Sequence, residues 1–106
     1  MSLLAVSPEA DRDIRETVRY LRDHAGAEKA RGFAAALQAT GELLTSHPEV
    51  GRLYRHTQTG IKLRALPVKK FGDWLLFYEV VEGEAQRVVF IHRLLHGSRD
   101  IEALLE

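Results

Sequence analysis

Apolar residues in this chain recur three and four apart as far as Ser46, and two apart from Ile61 onward. A helix turns about every 3.6 residues and a strand alternates faces every second one, so the change of period marks a change of element. Ser7-Pro8-Glu9 opens the helical part. Ser7 supplies a hydroxyl for orphan backbone N–H groups, Pro8 suits the first turn, and acids at Glu9 and Asp11 suit the positive end of the helix dipole. Ala10, Ile14, Val18, Leu21 and Ala25 then form one stripe, and Gly26 ends the helix. A second helix spans Ala27–Ser46, with a stripe of Ala30, Phe33, Ala34, Leu37, Gly41 and Leu44. So short a connection predicts an antiparallel pair, and His47-Pro48 stops it because the residue before proline avoids the α region.

The strand part is read the same way. Leu3–Val6 is a short apolar strand, and residues 48–60 read as a polar surface loop. Ile61, Leu63 and Ala65 alternate with Lys62 and Arg64, the pattern of a strand with one buried face. Pro67 breaks that alternation and implies an edge, a bulge or the strand's end. Residues 69–73 read as a turn. Residues 74–81 are nearly all apolar, as expected of a central strand covered on both faces. Residues 82–84 make a hairpin turn, 86–95 a further meander strand, and 97–106 a tail of one or two helical turns. The expected fold is α+β, in the order β-α-α-β-β-β, an antiparallel sheet with the helix pair on one face. Residues 1–106 read as one domain: a chain of this length buries roughly two thirds of its unfolded surface, and its composition is 45% hydrophobic.

Composition removes several functions. Cysteine is absent, so there is no thiol nucleophile, redox pair or thiolate metal site. No run approaches the ~18 apolar residues of a membrane span, and the first eight residues lack the basic and apolar regions of a signal peptide. A cytoplasmic location is expected. Fifteen acidic residues balance fifteen basic ones, eight of each before Gly60 and seven of each from there, so no global field favours nucleic acid. One local run departs from this: Lys62, Arg64, Lys69 and Lys70 fall within nine residues containing no acid, either a solvated strand face or a binding patch.

Catalytic signatures are sparse. The chain has no phosphate loop, nucleophile elbow or Walker motif, and no cofactor is implied. His92 and His96 would meet on a helix, but along a strand four residues span about 13 Å, which argues against a shared metal. Glu79 is either an acid of raised pKa or the partner of a neighbouring Arg or Lys. Trp74 either packs in the core or at the sheet edge, or stacks on a nucleobase. The richest cluster is His92–Asp100, where a strand ends at Gly97 among ionisable groups. Arg99 and Asp100 there either tie the tail down or belong to a recognition surface.

Ser7-Pro8-Glu9-Ala10, the Pro48-x-x-Gly51 turn, Lys62-Leu63-Arg64, Leu75-Leu76-Phe77-Tyr78 and Leu95-His96-Gly97-Ser98-Arg99-Asp100 together resemble the RelE/ParE superfamily of bacterial type II toxins, the ParE branch (plasmid stabilisation proteins) most closely. The resemblance covers nearly the whole chain and rests on the order and spacing of short motifs. It implies a toxin neutralised by a cognate antitoxin, which wraps it with a helix and an extended segment. ParE-type members poison DNA gyrase, whereas RelE-type members cleave messenger RNA on the ribosome. RNA cleavage through a 2′-hydroxyl needs a proton acceptor, a donor and nearby cations. The arginine slot of that branch, three residues before Tyr78, holds Leu75, and residues 94–106 contain no tyrosine. Lys62 and Arg64 do match the basic strand, and His96 could act as a base, so a RelE-like ribonuclease stays as the alternative, beside a non-toxic homologue that binds only its antitoxin. The leading expectation is a protein-binding gyrase poison with no catalytic residues, no metal and no direct nucleic-acid contact. Its target-binding residues would be Arg64, His96 and Arg99, with Trp74 beside them.

Overall fold

The computed structural model describes residues 2–56 and 58–105. Met1, Thr57 and Glu106, which fall in the leading segment, the loop and the tail of the sequence reading, lie outside the described residues. Among those described, the elements are β1 (Leu3–Val6), α1 (Pro8–Ala25), α2 (Ala27–Ser46), β2 (Arg52–His56), β3 (Lys62–Val68), β4 (Phe71–Glu82), β5 (Arg87–His96) and a single turn of helix, α3 (Ile101–Leu104). The strands form one sheet in the order β1-β5-β4-β3-β2. Every pair is antiparallel except β1 with β5, which run parallel. No described helix is long and apolar enough to cross a membrane.

Both long helices begin and end as expected. Ser7 Oγ accepts from Ala10 N at 2.9 Å and donates to the His92 carbonyl at 2.8 Å, so the cap also fastens the start of α1 to β5. Gly26, at φ 98°, turns the chain from α1 into α2 in one residue, a conformation that costs a residue with a Cβ more than glycine. The α1 stripe is buried as far as Leu21, with Ile14 and Val18 packed against the core, but Ala25 is exposed. On α2, Ala30, Phe33 and Leu44 are buried while Ala34 is exposed and Leu37 only half-covered. Part of each stripe is therefore left open to solvent.

The sheet departs from the sequence reading in three places: its β1–β5 pair is parallel where an antiparallel sheet is expected, residues 52–56 are a strand, and the turn before β4 is shorter. Residues 52–56 form a strand, β2, where a loop is expected. It pairs with β3 from Arg52↔Ala65 to His56↔Lys62, and Tyr54 is the extra residue of a bulge. An edge strand with a bulge and three basic side chains keeps neither alternation nor an apolar run, so its period is hidden. The expected turn over residues 69–73 contracts to Lys69 and Lys70, with Lys70 at φ 69°, and Phe71 already belongs to β4. In β5, Phe77 pairs with Arg93 and Tyr78 with Ile91, so His92 is the extra residue of a second bulge. Pro67 lies beside a further register shift near the end of β3.

β4 is the central strand and is covered on both faces. Leu76 and Tyr78 pack with the helices, together with Phe33, Leu44 and Val89. Phe77 points the other way, with Leu63 and Leu95, and is covered by Tyr54, Ile101, Leu104 and Leu105. The tail is thus a strap over the second face of the sheet. Its ties are polar: Glu102 accepts from Tyr54 Oη at 2.7 Å and Arg55 Nη1 at 2.8 Å, and Arg93 Nη1 donates to the Leu104 carbonyl at 2.9 Å.

Candidate functional site

The residues expected to contact a target fall into two places. Trp74, His96 and Arg99 line one cleft of about 690 Å³, between the end of the β4–β5 hairpin and α1. Arg64 lies elsewhere, at the opposite end of the β3–β4 pairing, opposite Tyr78. The basic run divides likewise: Lys62 and Arg64 sit at one end of β3 and Lys69 and Lys70 in the turn beyond its other end. Seven residues of strand separate Lys62 from Lys69, roughly 23 Å, so the run does not form a single patch.

Around Arg64 the side chains close the α2–β2 connection. Tyr78, fully buried, donates to the Pro48 carbonyl at 2.8 Å and accepts from Gly51 N at 2.8 Å. Gly51 lies so close that a Cβ there would overlap the Tyr78 ring, which accounts for glycine at that position. Arg64 Nη1 donates to the Gly51 carbonyl at 2.9 Å and, at 3.5 Å, to that of Glu49. Burial pushes the Tyr78 hydroxyl up from its ordinary pKa. Outside this clasp Arg87 bridges Glu49 and Glu82, and its hydrogen bond holds the Glu49 carboxyl below its usual pKa.

The cleft is built differently. Trp74 and His96 are cross-strand partners with ring centroids 4.8 Å apart, edge to face. Trp74 also meets Phe33 edge to face at 5.9 Å, which roots it in the core. Gly97 N donates to the Asp73 carbonyl at 2.7 Å and Arg99 N to the His96 carbonyl at 3.0 Å, so the chain turns sharply across the hairpin end. Ser98 turns back onto His96: its backbone N–H donates to Nδ1 at 3.1 Å and its hydroxyl lies 2.7 Å from the same nitrogen. The Arg99 guanidinium and the Trp74 indole N–H have no hydrogen-bond or ion-pair partner among the described residues. Glu16, Thr17 and Tyr20 of α1 form the facing wall, and Tyr20 is 55% exposed and stacked on His24.

Sequence reasoning missed that facing wall. Glu16 and Tyr20 are four apart on a flank of α1, where they look like ordinary solvated positions. It also missed Asp13, which forms a two-pronged pair with Arg93, at 2.7 and 3.0 Å, and accepts from Leu94 N at 3.1 Å. The Asp13–Arg93 hydrogen bond raises the Arg93 pKa, and the pair joins α1 to β5 and, through Leu104, to the tail. Contacts 80 residues apart leave no local signal. Two other expectations change. Glu79 pairs with His92, at 3.1 Å, and not with a lysine or arginine, because the β5 bulge brings the imidazole alongside it. Of the two residues expected to hold the tail, Asp100 does so, its Oδ1 accepting from Ala103 N at 3.4 Å. Arg99 remains unpaired there.

An open apolar groove lies apart from both places. It measures about 470 Å³ and is lined by Ile14 and Val18 of α1, Ala34, Leu37 and Gly41 of α2, and Leu4 of β1. β1 is an edge of the sheet, and its Leu3, Leu4 and Val6 are 54%, 42% and 43% exposed.

Comparison with known proteins agrees with this architecture. The family model for the ParE toxin of type II toxin–antitoxin systems (parDE) matches residues 4–101. Toxin ParE1 of Caulobacter vibrioides is 31% identical over 100 residues, covering 94% of each chain. A chain of the solved chromosomal ParDE TA system from P. aeruginosa superposes with a TM-score of 0.69 at 18% identity, covering 91% of this chain and 96% of that one. At that identity the superposition speaks for the fold alone.

Proposed function

Because this chain belongs to the ParE toxin family of type II toxin–antitoxin systems, we propose that it acts by binding DNA gyrase and is neutralised by a cognate antitoxin. The observation that carries the binding half is the cleft. Trp74, His96 and Arg99 stand together with two unpartnered donors among them, at a point where the chain has no internal use for Arg99. Aromatic and arginine side chains anchored at a concave surface are the usual strong contacts of a protein interface. Arg64, the outlying member of the target-binding set, is spent largely on the clasp it closes.

The antitoxin half is supported by the apolar groove. A groove of Leu4, Ile14, Val18 and Leu37, lined by β1, α1 and α2, suits the apolar face of a partner helix. The bare edge of β1 beside it suits an extended segment. Such a partner would cover the exposed leucines and valine that isolated β1 leaves in water.

Leu75 bears on the ribonuclease alternative. In the slot where that branch carries an arginine, Leu75 packs against the Phe77 and Leu95 layer under the tail, so no cation is offered there. The test is induction of the protein in a bacterial host without its partner. Gyrase poisoning gives filamentous cells and a DNA-damage response. Prompt arrest of translation with cut messenger RNA would replace this reading with the RelE-like one, and normal growth would replace it with the inactive binder.

A further inference from the structure

We infer that Ser98 is a positioning residue that fixes His96 as the tautomer protonated on Nε2, so that His96 meets a protein partner as an N–H donor and not as a base. The inference rests on the reading of the cleft as the target-contact surface, and extends it to the chemistry of one contact. A backbone N–H can only donate, and Ser98 N lies 3.1 Å from His96 Nδ1. Nδ1 must therefore present its lone pair. The Ser98 hydroxyl, 2.7 Å from the same nitrogen, then donates as well. In a neutral imidazole one nitrogen accepts and the other carries the proton, so the hydrogen bond at Nδ1 decides what Nε2 does. The proton is on Nε2, which has no partner among the described residues.

Three neighbouring groups then offer only N–H to the cleft: His96 Nε2, the Trp74 indole nitrogen and the Arg99 guanidinium. The complementary chemistry is an acceptor oxygen, a carbonyl or carboxylate of the bound protein. A residue taking a proton from a 2′-hydroxyl would need a bare nitrogen at that position. The backbone geometry holds the arrangement in place. Arg99 N donates to the His96 carbonyl, which closes a turn over residues 96–99, and Gly97 N donates to the Asp73 carbonyl, which fastens that turn to β4.

The test combines a spectrum with three substitutions at one position. In the full chain labelled with 15N-histidine, at a pH of about 8 or above where free imidazole is neutral, His96 is expected to show a pyridine-type Nδ1 and a pyrrole-type Nε2. A protonated Nδ1 would overturn the inference whatever the cell assay gives. Growth arrest on induction then reads the role. His96→Gln places an amide N–H close to the Nε2 position and keeps toxicity, His96→Asn places it near Nδ1 and loses it, and His96→Ala loses it. Ser98→Ala removes the hydroxyl but keeps the backbone N–H at Nδ1, so it leaves antitoxin capture and the tautomer intact and weakens toxicity by up to roughly tenfold, the worth of one hydrogen bond. Equal loss in His96→Gln and His96→Ala would overturn the donor role while leaving the contact surface standing. Full toxicity in His96→Ala would remove the contact itself, and with it the reading on which this rests. Thermal melts of each variant separate these outcomes from loss of folding.

Discussion

The clasp at Arg64 and the cleft at Arg99 are both built from a basic residue, an aromatic residue and a sharp turn, yet only one of them is closed. At the clasp every polar atom that matters has a partner within the chain: Tyr78 bonds to Pro48 and Gly51, and Arg64 to the Gly51 carbonyl. At the cleft the guanidinium of Arg99 and the indole N–H of Trp74 are left open to solvent beside an ordered imidazole. Similar residue types can thus be closed within the fold in one place and left open in another, and internal hydrogen bonding distinguishes them. Groups that the fold has satisfied contribute to stability; groups it has positioned and left unsatisfied are available to a partner.

The largest effect on stability is expected at the clasp's centre. Tyr78→Phe removes the hydroxyl and leaves Gly51 N buried without a partner, at about 1–3 kcal/mol, and Pro48 O half-buried without one, at less than that. A fall in denaturation midpoint with an unchanged slope in urea checks it; an unchanged midpoint would break the distinction between the two regions. Arg64→Ala comes next, losing a charged hydrogen bond worth roughly 1.5–3 kcal/mol, reduced by its partial exposure. If Arg64→Ala instead left the midpoint alone and abolished toxicity, Arg64 would belong with the cleft.

A pH effect of the same origin is smaller. Burial raises the Tyr78 pKa in the folded state. The folded chain therefore prefers the protonated hydroxyl, and its contribution is complete below the unfolded pKa of about 10 and is lost as pH rises through the folded value. Alkaline melts should show an added loss above pH ~10 that Tyr78→Phe lacks. The smallest stability change belongs to Arg99→Ala, within about 0.5 kcal/mol, as for an exposed residue without partners. Its toxicity should nevertheless fall by at least roughly tenfold, as expected of an interface anchor. A destabilised Arg99→Ala protein would show that the cleft, too, is structural.

The same distinction explains what could be seen in the sequence. Helix ends were legible because Ser7, Pro8, Gly26 and Pro48 act on neighbouring backbone, and β4 because two layers of core make a continuous apolar run. The strand Arg52–His56 was hidden because a bulged, basic edge strand keeps no period. The gathering of Trp74, His96 and Arg99 could be suspected from the turn after β5, but the opposing Glu16 and Tyr20 could not, since a helix flank near the core looks like any solvated face. Arg64 carried the right residue type in the right motif, and only the position of the Gly51 carbonyl reveals how it is used.

DNA supercoiling by purified gyrase, titrated with the purified protein, reads the central claim most directly. The account predicts loss of supercoiled product with accumulation of cleaved DNA, relieved by Arg99→Ala and little changed by Arg64→Ala at a temperature where that variant stays folded. Undisturbed supercoiling by a folded wild-type protein that still arrests growth would contradict it.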